Sequence, residues 1–238
     1  MTERELDGRL AIVTGGCRGI GRAIADALAA AGADVHVFDV GAEEERAPLP
    51  YPLRVVDVAA ADAVAAAIAS LPAPPTLVVN NAGITRDRSL VKMSDAEWHQ
   101  VLGVNLTGAF NVIRAAAPAM IAAGFGRIVN ITSINGIRGK FGQANYAAAK
   151  AGLIGLTKTA ARELGPKGVT VNAVAPGMVM TELAMALPRA VRERALQETV
   201  LGRLAEPQDV AAAVVFLLSE RARMITGQVL HVDAGQLI

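Results

Sequence analysis

Residues 10–21 read LAIVTGGCRGIG, an apolar run that leads directly into a glycine-rich turn. The glycines at positions 15, 19 and 21 permit backbone angles that other residues avoid, and they leave room for a ligand close to the main chain. Helical spacing follows, so the turn lies at a helix N-terminus, where unpaired N–H groups favour a pyrophosphate. The stretch therefore predicts a dinucleotide site at the first strand-to-helix turn of an α/β fold.

An acidic residue follows at the distance that such a site requires. Asp39 ends the next apolar run, 18 residues after Gly21. A carboxylate at the end of the second strand can accept hydrogen bonds from the hydroxyls of an adenosine ribose. The alternative interpretation is that Asp39 caps a helix or lies in a solvated loop.

Apolar runs and helical stretches alternate along the rest of the chain. Because the runs are almost wholly apolar, they are typical of parallel strands covered on both faces. The strands are predicted at residues 9–14, 34–38, 53–58, 76–80, 126–131, 168–174 and 227–232. Ala-rich helical stretches lie at about 20–31, 61–70, 95–123, 145–164 and 207–219. This order predicts a doubly wound α/β fold, with a mostly parallel seven-stranded sheet and helices on both faces.

The chain shows no internal repeat and no long linker, so we expect residues 1–238 to form a single domain. Residues 41–52, GAEEERAPLPYP, carry consecutive acidic residues and three prolines, which predict a loop. Residues 176–206 follow a Pro-Gly pair and depart from the strand-helix rhythm. That segment is the candidate substrate lid.

Charge and composition exclude several classes of protein. The 23 basic and 22 acidic residues leave a net charge of +1, which gives no electrostatic support for nucleic-acid binding. The longest apolar run, residues 210–218, is far shorter than the ~20 residues that cross a bilayer. Cys17 is the only cysteine, and the three histidines lack a metal-ligand spacing. We expect a cytoplasmic protein without a membrane role, disulfide or bound metal.

Three residues in the second half of the chain form a candidate catalytic group. Ser133 follows the fifth predicted strand, Tyr146 comes 13 residues later, and Lys150 is four residues beyond the tyrosine. The i, i+4 spacing places the phenol and the ammonium on one face of a helix. An adjacent cation stabilises a phenolate, so we expect a lowered pKa for Tyr146. Ser133 can then hold the oxygen of a substrate while Tyr146 exchanges a proton with it.

The pattern TGxxxGxG at residues 14–21 differs from GxGxxG and resembles the classical short-chain dehydrogenases/reductases. Their companion motifs follow in order: VDV at 56–58, NNAG at 80–83, GVNLTG at 103–108 and Pro-Gly at 176–177. The resemblance covers about residues 7–235 and implies a single-domain Rossmann fold. It adds Asn105, on a distorted helix, to the catalytic Ser133, Tyr146 and Lys150. The coenzyme contacts that it implies are Gly15, Arg18, Gly19, Ile20, Gly21, Asp39, Asp57, Val58, Asn81, Ala82, Gly83, Tyr146, Lys150, Pro176, Gly177, Val179 and Thr181.

Within that family the chain most resembles the 3-oxoacyl-thioester reductases. The similar stretches are ITRD at 84–87, SINGIRGKFGQANYAAAKAG at 133–152 and ITGQVLHVDAG at 225–235. The resemblance implies reversible reduction of a 3-oxoacyl thioester of coenzyme A or acyl carrier protein, by hydride transfer with Tyr146 as acid and base. An NAD-dependent secondary-alcohol or cis-dihydrodiol dehydrogenase is the alternative enzyme. A non-catalytic dinucleotide-binding regulator is the alternative outside enzymes.

The choice of coenzyme depends on two residues. Asp39 would repel the 2′-phosphate of NADP, whereas the basic Arg18 in the glycine loop accompanies NADP use in this family. Because Asp39 is the more direct contact, and the next base, Arg46, lies further along the chain, we expect NAD(H) to be favoured over NADP(H).

Substrate and partner contacts complete the predictions. An apolar wall for an acyl chain is expected within residues 176–206, from Met178, Met180, Leu183, Met185 and Leu187. Arg127 and Lys167 match basic positions that meet acyl carrier protein in similar enzymes, although a solvated face would also explain them. Gln143 could contact the substrate or cap a helix. The resemblance further implies a homotetramer joined through two long helices and the last strand.

Overall fold

The computed structural model describes residues 4–41 and 49–238, and its strands form one seven-stranded sheet. The strand order is β3-β2-β1-β4-β5-β6-β7, and every neighbouring pair is parallel. The strands are β1 Leu10–Thr14, β2 Asp34–Asp39, β3 Leu53–Val55, β4 Leu77–Asn80, β5 Gly126–Ile131, β6 Val169–Pro176 and β7 Val229–Val232. The predicted parallel sheet is confirmed. Its third strand is shorter than residues 53–58, because the chain turns at Asp57, whose carbonyl accepts the N–H of Ala60.

Helices follow the strands as the sequence predicts. They are α1 Gly19–Ala30, α2 Ala61–Ala69, α3 Asp95–Leu102, α4 Gly108–Ala123, α5 Asn135–Arg138, α6 Ala144–Leu164, α7 Glu182–Met185, α8 Arg189–Gln197 and α9 Pro207–Leu218. The stretch predicted as one helix at 95–123 is interrupted by a turn of π-helix, Gly103–Thr107, between α3 and α4. The short helices α7 and α8 lie in the predicted lid segment.

The apolar strands are explained by two cores, one on each face of the sheet. Successive residues of a strand point to opposite faces. Val13 therefore packs with α1 and α9, whereas its neighbour Ile12 packs with α2, α4 and α6. Both side chains are fully buried, as the continuous apolar pattern of β1 predicts.

The strand order fixes where ligands can bind. The chain crosses the sheet between β1 and β4, so the sheet order reverses there and leaves a crevice at the carboxyl ends of the strands. Thr14, Asp39, Asn80 and Ile131 are the last residues of β1, β2, β4 and β5. All the loops that carry the predicted motifs leave the sheet at this edge.

The predicted loop at 41–52 lies mostly at residues 42–48, outside the described part of the chain, and so does Arg46. Where the description resumes, the Tyr51 hydroxyl donates to Asp26 Oδ1 at 2.7 Å. The segment before β3 is therefore tied to α1.

One helical stretch of the described residues, Asp95–Ala123, is long and apolar enough to cross a bilayer by length and composition. Core helices of soluble proteins pass the same test. Here Val112 and Met120 are fully buried in the core below the sheet. Asn111 is also buried, and its amide donates to the carbonyl of Val58 at 3.0 Å. The apolar face of α4 is thus used in packing against the sheet.

Candidate active site

Two residues of the turn between β1 and α1 have backbone angles that only glycine adopts readily. Gly15 and Gly19 have φ angles of +63° and +55°. A Cβ atom on Gly15 would lie 2.9 Å from Cα of Ala82, and one on Gly21 would collide with the Gly15 carbonyl. The absent side chains keep a concave backbone surface at the N-terminus of α1, which is the surface that a pyrophosphate needs.

The NNAG turn after β4 is hydrogen-bonded to this glycine turn. The Thr14 hydroxyl accepts the N–H groups of Asn81 and Ala82, both at 3.0 Å. The Asn81 amide donates to the carbonyls of Thr14 at 3.0 Å and of Gly15 at 2.9 Å. These bonds hold the two loops together as one wall of the crevice.

Acidic side chains lie where the sequence places the adenosine. Asp39 is the last residue of β2, and its carboxylate accepts the backbone N–H groups of Cys17 at 3.2 Å and Val40 at 2.8 Å. Asp57 accepts the N–H of Ala59 at 2.9 Å and is exposed. Arg18 is exposed and lines the same cleft as Asp39.

One cleft of about 1370 Å³ contains all the predicted catalytic and coenzyme residues. Its walls come from the glycine turn, the NNAG turn, the segment after β5, the start of α6 and the lid segment. The predicted catalytic and coenzyme residues that line it are Gly15, Arg18, Gly19, Ile20, Gly21, Asp39, Asp57, Val58, Asn81, Ala82, Gly83, Asn105, Ser133, Tyr146, Lys150, Pro176, Gly177, Val179 and Thr181. The cradle of glycine backbone and the ring of polar side chains fit a nicotinamide dinucleotide.

The catalytic group is assembled from β5 and α6. The side chains of Ser133 and Tyr146 line the same cleft, and the Ser133 hydroxyl is near enough to the phenol to lower its pKa. Lys150 is buried, and its Nζ donates to the carbonyl of Ile131 at 2.8 Å. The same Nζ lies 5.6 Å from the centre of the Tyr146 ring. The hydroxyl, phenol and ammonium are therefore neighbours, as the i, i+4 spacing predicts.

The expected lowering of the Tyr146 pKa is wrong for this geometry. Burial is the largest effect and raises the pKa of the phenol to about 12, while the charge of Asp87 raises it further and the Ser133 hydrogen bond opposes the rise. Burial also lowers the pKa of Lys150 to about 8. The reason is that the protein around each group removes part of its solvation, which disfavours the charged form of each.

Asn105 lies within the π-helical turn, as the resemblance implies. Its amide donates to the carbonyls of Ile84 and Val101, both at 2.9 Å. Its Oδ1 is buried and has no hydrogen-bond partner among residues 4–41 and 49–238. A Cβ on Gly83 would lie 2.6 Å from this oxygen and 3.6 Å from Lys150 Nζ, so Gly83 separates the two polar groups. An unsatisfied acceptor beside Lys150 is a suitable position for an ordered water.

The structure differs from the sequence predictions in part of the apolar wall for an acyl chain and in the basic surface for a carrier protein. Met178, Leu183 and Leu187 line the cleft, but Met180 and Met185 do not. Lys167 lies in the short turn after α6. Arg127 is only 5% exposed, because its guanidinium donates to the carbonyls of Gly126 and Gly168 and pairs with Glu220 at 3.2 Å. The interpretation of Arg127 as an exposed base for a carrier protein is therefore wrong.

Two functional candidates were missed or undecided in the sequence. Gln143 does not cap α6 with its side chain; it lines the cleft and bonds to Asp87 and Asn135. Asp87 stands out in the sequence only as part of ITRD, because 56 residues separate it from its partner Gln143. The histidines remain outside the site, and His36 is buried against Arg54.

Comparison with known proteins places this geometry in a family. A family model described as enoyl-(acyl carrier protein) reductase matches residues 15–236. The acetoacetyl-CoA reductase of Rhizobium meliloti (strain 1021) is 47% identical over 236 residues, which are 96% of this chain and 98% of that protein. The chain belongs to the short-chain dehydrogenase/reductase family. It is therefore an oxidoreductase that uses a nicotinamide dinucleotide.

Solved structures agree with this assignment. The structure of a 3-oxoacyl-[acyl-carrier protein] reductase from Brucella melitensis ATCC 23457 has a TM-score of 0.91 and 35% identity, and covers 98% of this chain and 92% of that chain. A structure from Agrobacterium tumefaciens, provisionally named 2-deoxy-d-gluconate 3-dehydrogenase, contains NADP. It has a TM-score of 0.90 and 37% identity, with 99% of each chain covered. The short-chain dehydrogenase/reductase fold thus extends over the whole described chain.

Proposed function

We propose that this short-chain dehydrogenase/reductase reduces a 3-oxoacyl thioester to the 3-hydroxyacyl thioester. The observation that carries the proposal is the placement of Ser133, Tyr146 and Lys150 together in the cleft that the glycine turn opens, with Lys150 Nζ 5.6 Å from the centre of the Tyr146 ring. The names of an acetoacetyl-CoA reductase and a 3-oxoacyl-[acyl-carrier protein] reductase among its relatives support the choice of substrate.

The chain's own residues supply the acid and the positioning for this reaction. A bound nicotinamide coenzyme supplies the hydride for the 3-carbonyl carbon. Tyr146 is protonated at neutral pH, because its pKa is about 12, and gives its phenolic proton to the carbonyl oxygen. Ser133 holds that oxygen by a hydrogen bond. One hydride and one proton convert the ketone to the secondary alcohol.

Lys150 and Asn105 act after the proton has left Tyr146. The ammonium of Lys150 stabilises the phenolate, since an opposite charge favours the ionised form. The unpartnered Oδ1 of Asn105 can hold a water beside that ammonium. A path of this kind returns a proton from solvent to Tyr146 for the next turnover.

The lid segment supplies an apolar wall for the acyl chain. Met178, Leu183 and Leu187 line the cleft on this side, followed by Ala190 and Val191 of α8. Long, flexible apolar side chains adapt to chains of different length. The same wall would accept a cyclic alcohol, so the wall alone does not select the thioester.

A second candidate is oxidation of a secondary alcohol. It is favoured by the similarity to the Agrobacterium tumefaciens protein named as a 2-deoxy-d-gluconate 3-dehydrogenase. Acetoacetyl-CoA and a set of cyclic and sugar-derived secondary alcohols should be assayed with one enzyme preparation. We expect the thioester to have the higher kcat/KM. An alcohol that wins by more than about tenfold replaces the thioester assignment.

We propose further that NAD(H) is preferred and that the enzyme is a homotetramer of the cytoplasm. Asp39 lines the cleft at the end of β2, and a carboxylate there would repel a 2′-phosphate bound beside it. Exposed apolar residues on the helix and strand that the tetramer would use, Phe110 on α4 and Leu230 on β7, support the assembly.

A further inference from the structure

Gln143 is a buried amide with two side-chain partners on different loops. Its side chain reaches away from the helix that it precedes, and the residue is only 6% exposed. The Nε2 group donates to the Asp87 carboxylate at 3.0 and 3.2 Å. The Oε1 atom accepts from the amide of Asn135 at 3.1 Å. The side chain thus bridges the loop after the NNAG turn and the segment after Ser133.

The second partner leads directly to the catalytic serine. The backbone N–H of Asn135 donates to Ser133 Oγ at 3.1 Å. Its side-chain Oδ1 accepts from Arg138 Nε at 3.3 Å, which leaves Nδ2 for Gln143. Asn135 is therefore held on both sides of its amide, and its main chain in turn holds the Ser133 hydroxyl, which lines the cleft with Tyr146.

We propose that Gln143 is a positioning residue for the carbonyl reduction, which bridges Asp87 to Asn135 and thereby holds Ser133 in line with Tyr146. Only an amide of this length serves both partners, since Asp87 needs a donor and the Asn135 amide needs an acceptor. The proposal rests on the proposed function only in needing a carbonyl substrate. It gives the Asp87–Gln143 pair a role through Ser133 and not through direct contact with substrate.

The hydrogen bond between Gln143 and Asp87 can be broken by one substitution and restored by a second, with donor and acceptor exchanged between the two positions. In Gln143→Glu two carboxylates face each other, and the donor to Asp87 is lost. In the double variant Gln143→Glu/Asp87→Asn, the new asparagine amide donates to the new glutamate, while the other glutamate oxygen still accepts from Asn135. The hydrogen-bond pattern is restored without a change in side-chain lengths. With the single variant Asp87→Asn measured as the fourth corner, a double-mutant cycle gives the coupling between the two positions.

The experiment compares Gln143→Ala, Gln143→Glu and the double variant with the wild type, on any ketone substrate that the wild type reduces. Gln100→Ala is the matched control, because Gln100 is an exposed amide that accepts from the neighbouring Arg86 at 3.0 Å. We expect both single variants to lose about tenfold or more in kcat, since small misplacements of catalytic groups are costly. The KM for coenzyme should be unchanged, and the double variant should recover most of the loss.

A kinetic isotope effect separates positioning from general damage. With reduced coenzyme deuterated at the transferred position, we expect a larger isotope effect on kcat in the single variants, because hydride and proton transfer become slower than product release. Single variants with wild-type kcat would overturn the proposal. So would a rise in substrate KM at unchanged kcat, which would indicate direct substrate contact, or a double variant no faster than Gln143→Glu. A wild type inactive on acetoacetyl-CoA but active on another ketone would refute the thioester substrate and leave this test intact.

Discussion

Lys150 is buried and Tyr146 is half-buried beside it, and the loss of solvation favours the neutral form of each side chain. Burial raises the pKa of Tyr146 to about 12 and lowers that of Lys150 to about 8. A phenol that keeps its proton at neutral pH is an acid, which suits reduction of a ketone. The two i, i+4 residues are visible in the sequence, but the balance between burial and charge depends on the walls of the cleft.

Replacement of the phenol tests its role as the acid. We expect Tyr146→Phe to lower kcat by at least ~100-fold, because it removes the proton donor without adding bulk. Coenzyme affinity, measured by fluorescence titration, should stay close to that of the wild type. Retention of more than about a tenth of kcat would remove Tyr146 from this role.

The pH dependence of reduction should report Lys150. Below about pH 8 its ammonium stabilises the phenolate, and above that pH the proton is lost and the stabilisation disappears. We therefore expect kcat to fall as the pH rises through about 8, while Tyr146, with its pKa near 12, adds no step there. The variant Lys150→Ala should have a lower kcat, and its kcat should show no fall as the pH rises through about 8. A wild-type profile that stays level up to about pH 10 contradicts the assignment.

Asp39 should set the choice of coenzyme. We expect a higher kcat/KM with NADH than with NADPH, and a narrower gap in Asp39→Ala, because a carboxylate beside the ribose repels the 2′-phosphate. Asp62→Ala is the control, since Asp62 is an exposed residue in the first turn of α2. If the wild type prefers NADPH, the NAD(H) proposal is wrong, and Arg18 would determine the coenzyme preference in place of Asp39.

For single helices and strands, the spacing of apolar residues predicts the strands and most helices, because each of them buries side chains at a regular interval along one short stretch of chain. It does not predict the π-helical turn Gly103–Thr107, since the cause is a side-chain amide that bonds to the Ile84 carbonyl 21 residues earlier. The bridge from Gln143 to Asp87 and the burial of Arg127 depend on partners 56 and 93 residues away. Contacts between distant segments become visible only in the folded structure.

Substitution of Gly21 tests whether the glycine turn must be free of a side chain at that position. Gly21→Ala should destabilise the fold by about 1–3 kcal/mol and remove coenzyme binding, because its Cβ collides with the Gly15 carbonyl. Gly124→Ala is the matched control: it strains a left-handed glycine after α4, with no atom within 4 Å of the added Cβ. It should lose about 1 kcal/mol and keep coenzyme affinity. Thermal melts and coenzyme titrations distinguish the two, and equal coenzyme loss in both would contradict the role of Gly21.

For the whole molecule, the sequence predicts a mostly parallel sheet with a dinucleotide site, and in the structure every predicted coenzyme residue lines one cleft. The assembly is a separate matter, because it depends on surfaces that one chain leaves exposed. We expect light scattering to give four times the mass of one chain. The variant Phe110→Asp should have a lower mass, because burial of an unpaired carboxylate between apolar helices is unfavourable. A monomeric wild type would refute the tetramer.

In the proposed reaction, a hydride from the coenzyme and the Tyr146 proton reach the 3-carbonyl of an acyl thioester. The most direct measurement is mass spectrometry of the product formed from acetoacetyl-CoA with reduced coenzyme deuterated at the transferred position. The account predicts 3-hydroxybutyryl-CoA with one deuterium at C3, formed one for one with oxidised coenzyme, and almost none with Tyr146→Phe. Coenzyme oxidation without this product, or a product without deuterium at C3, would contradict it.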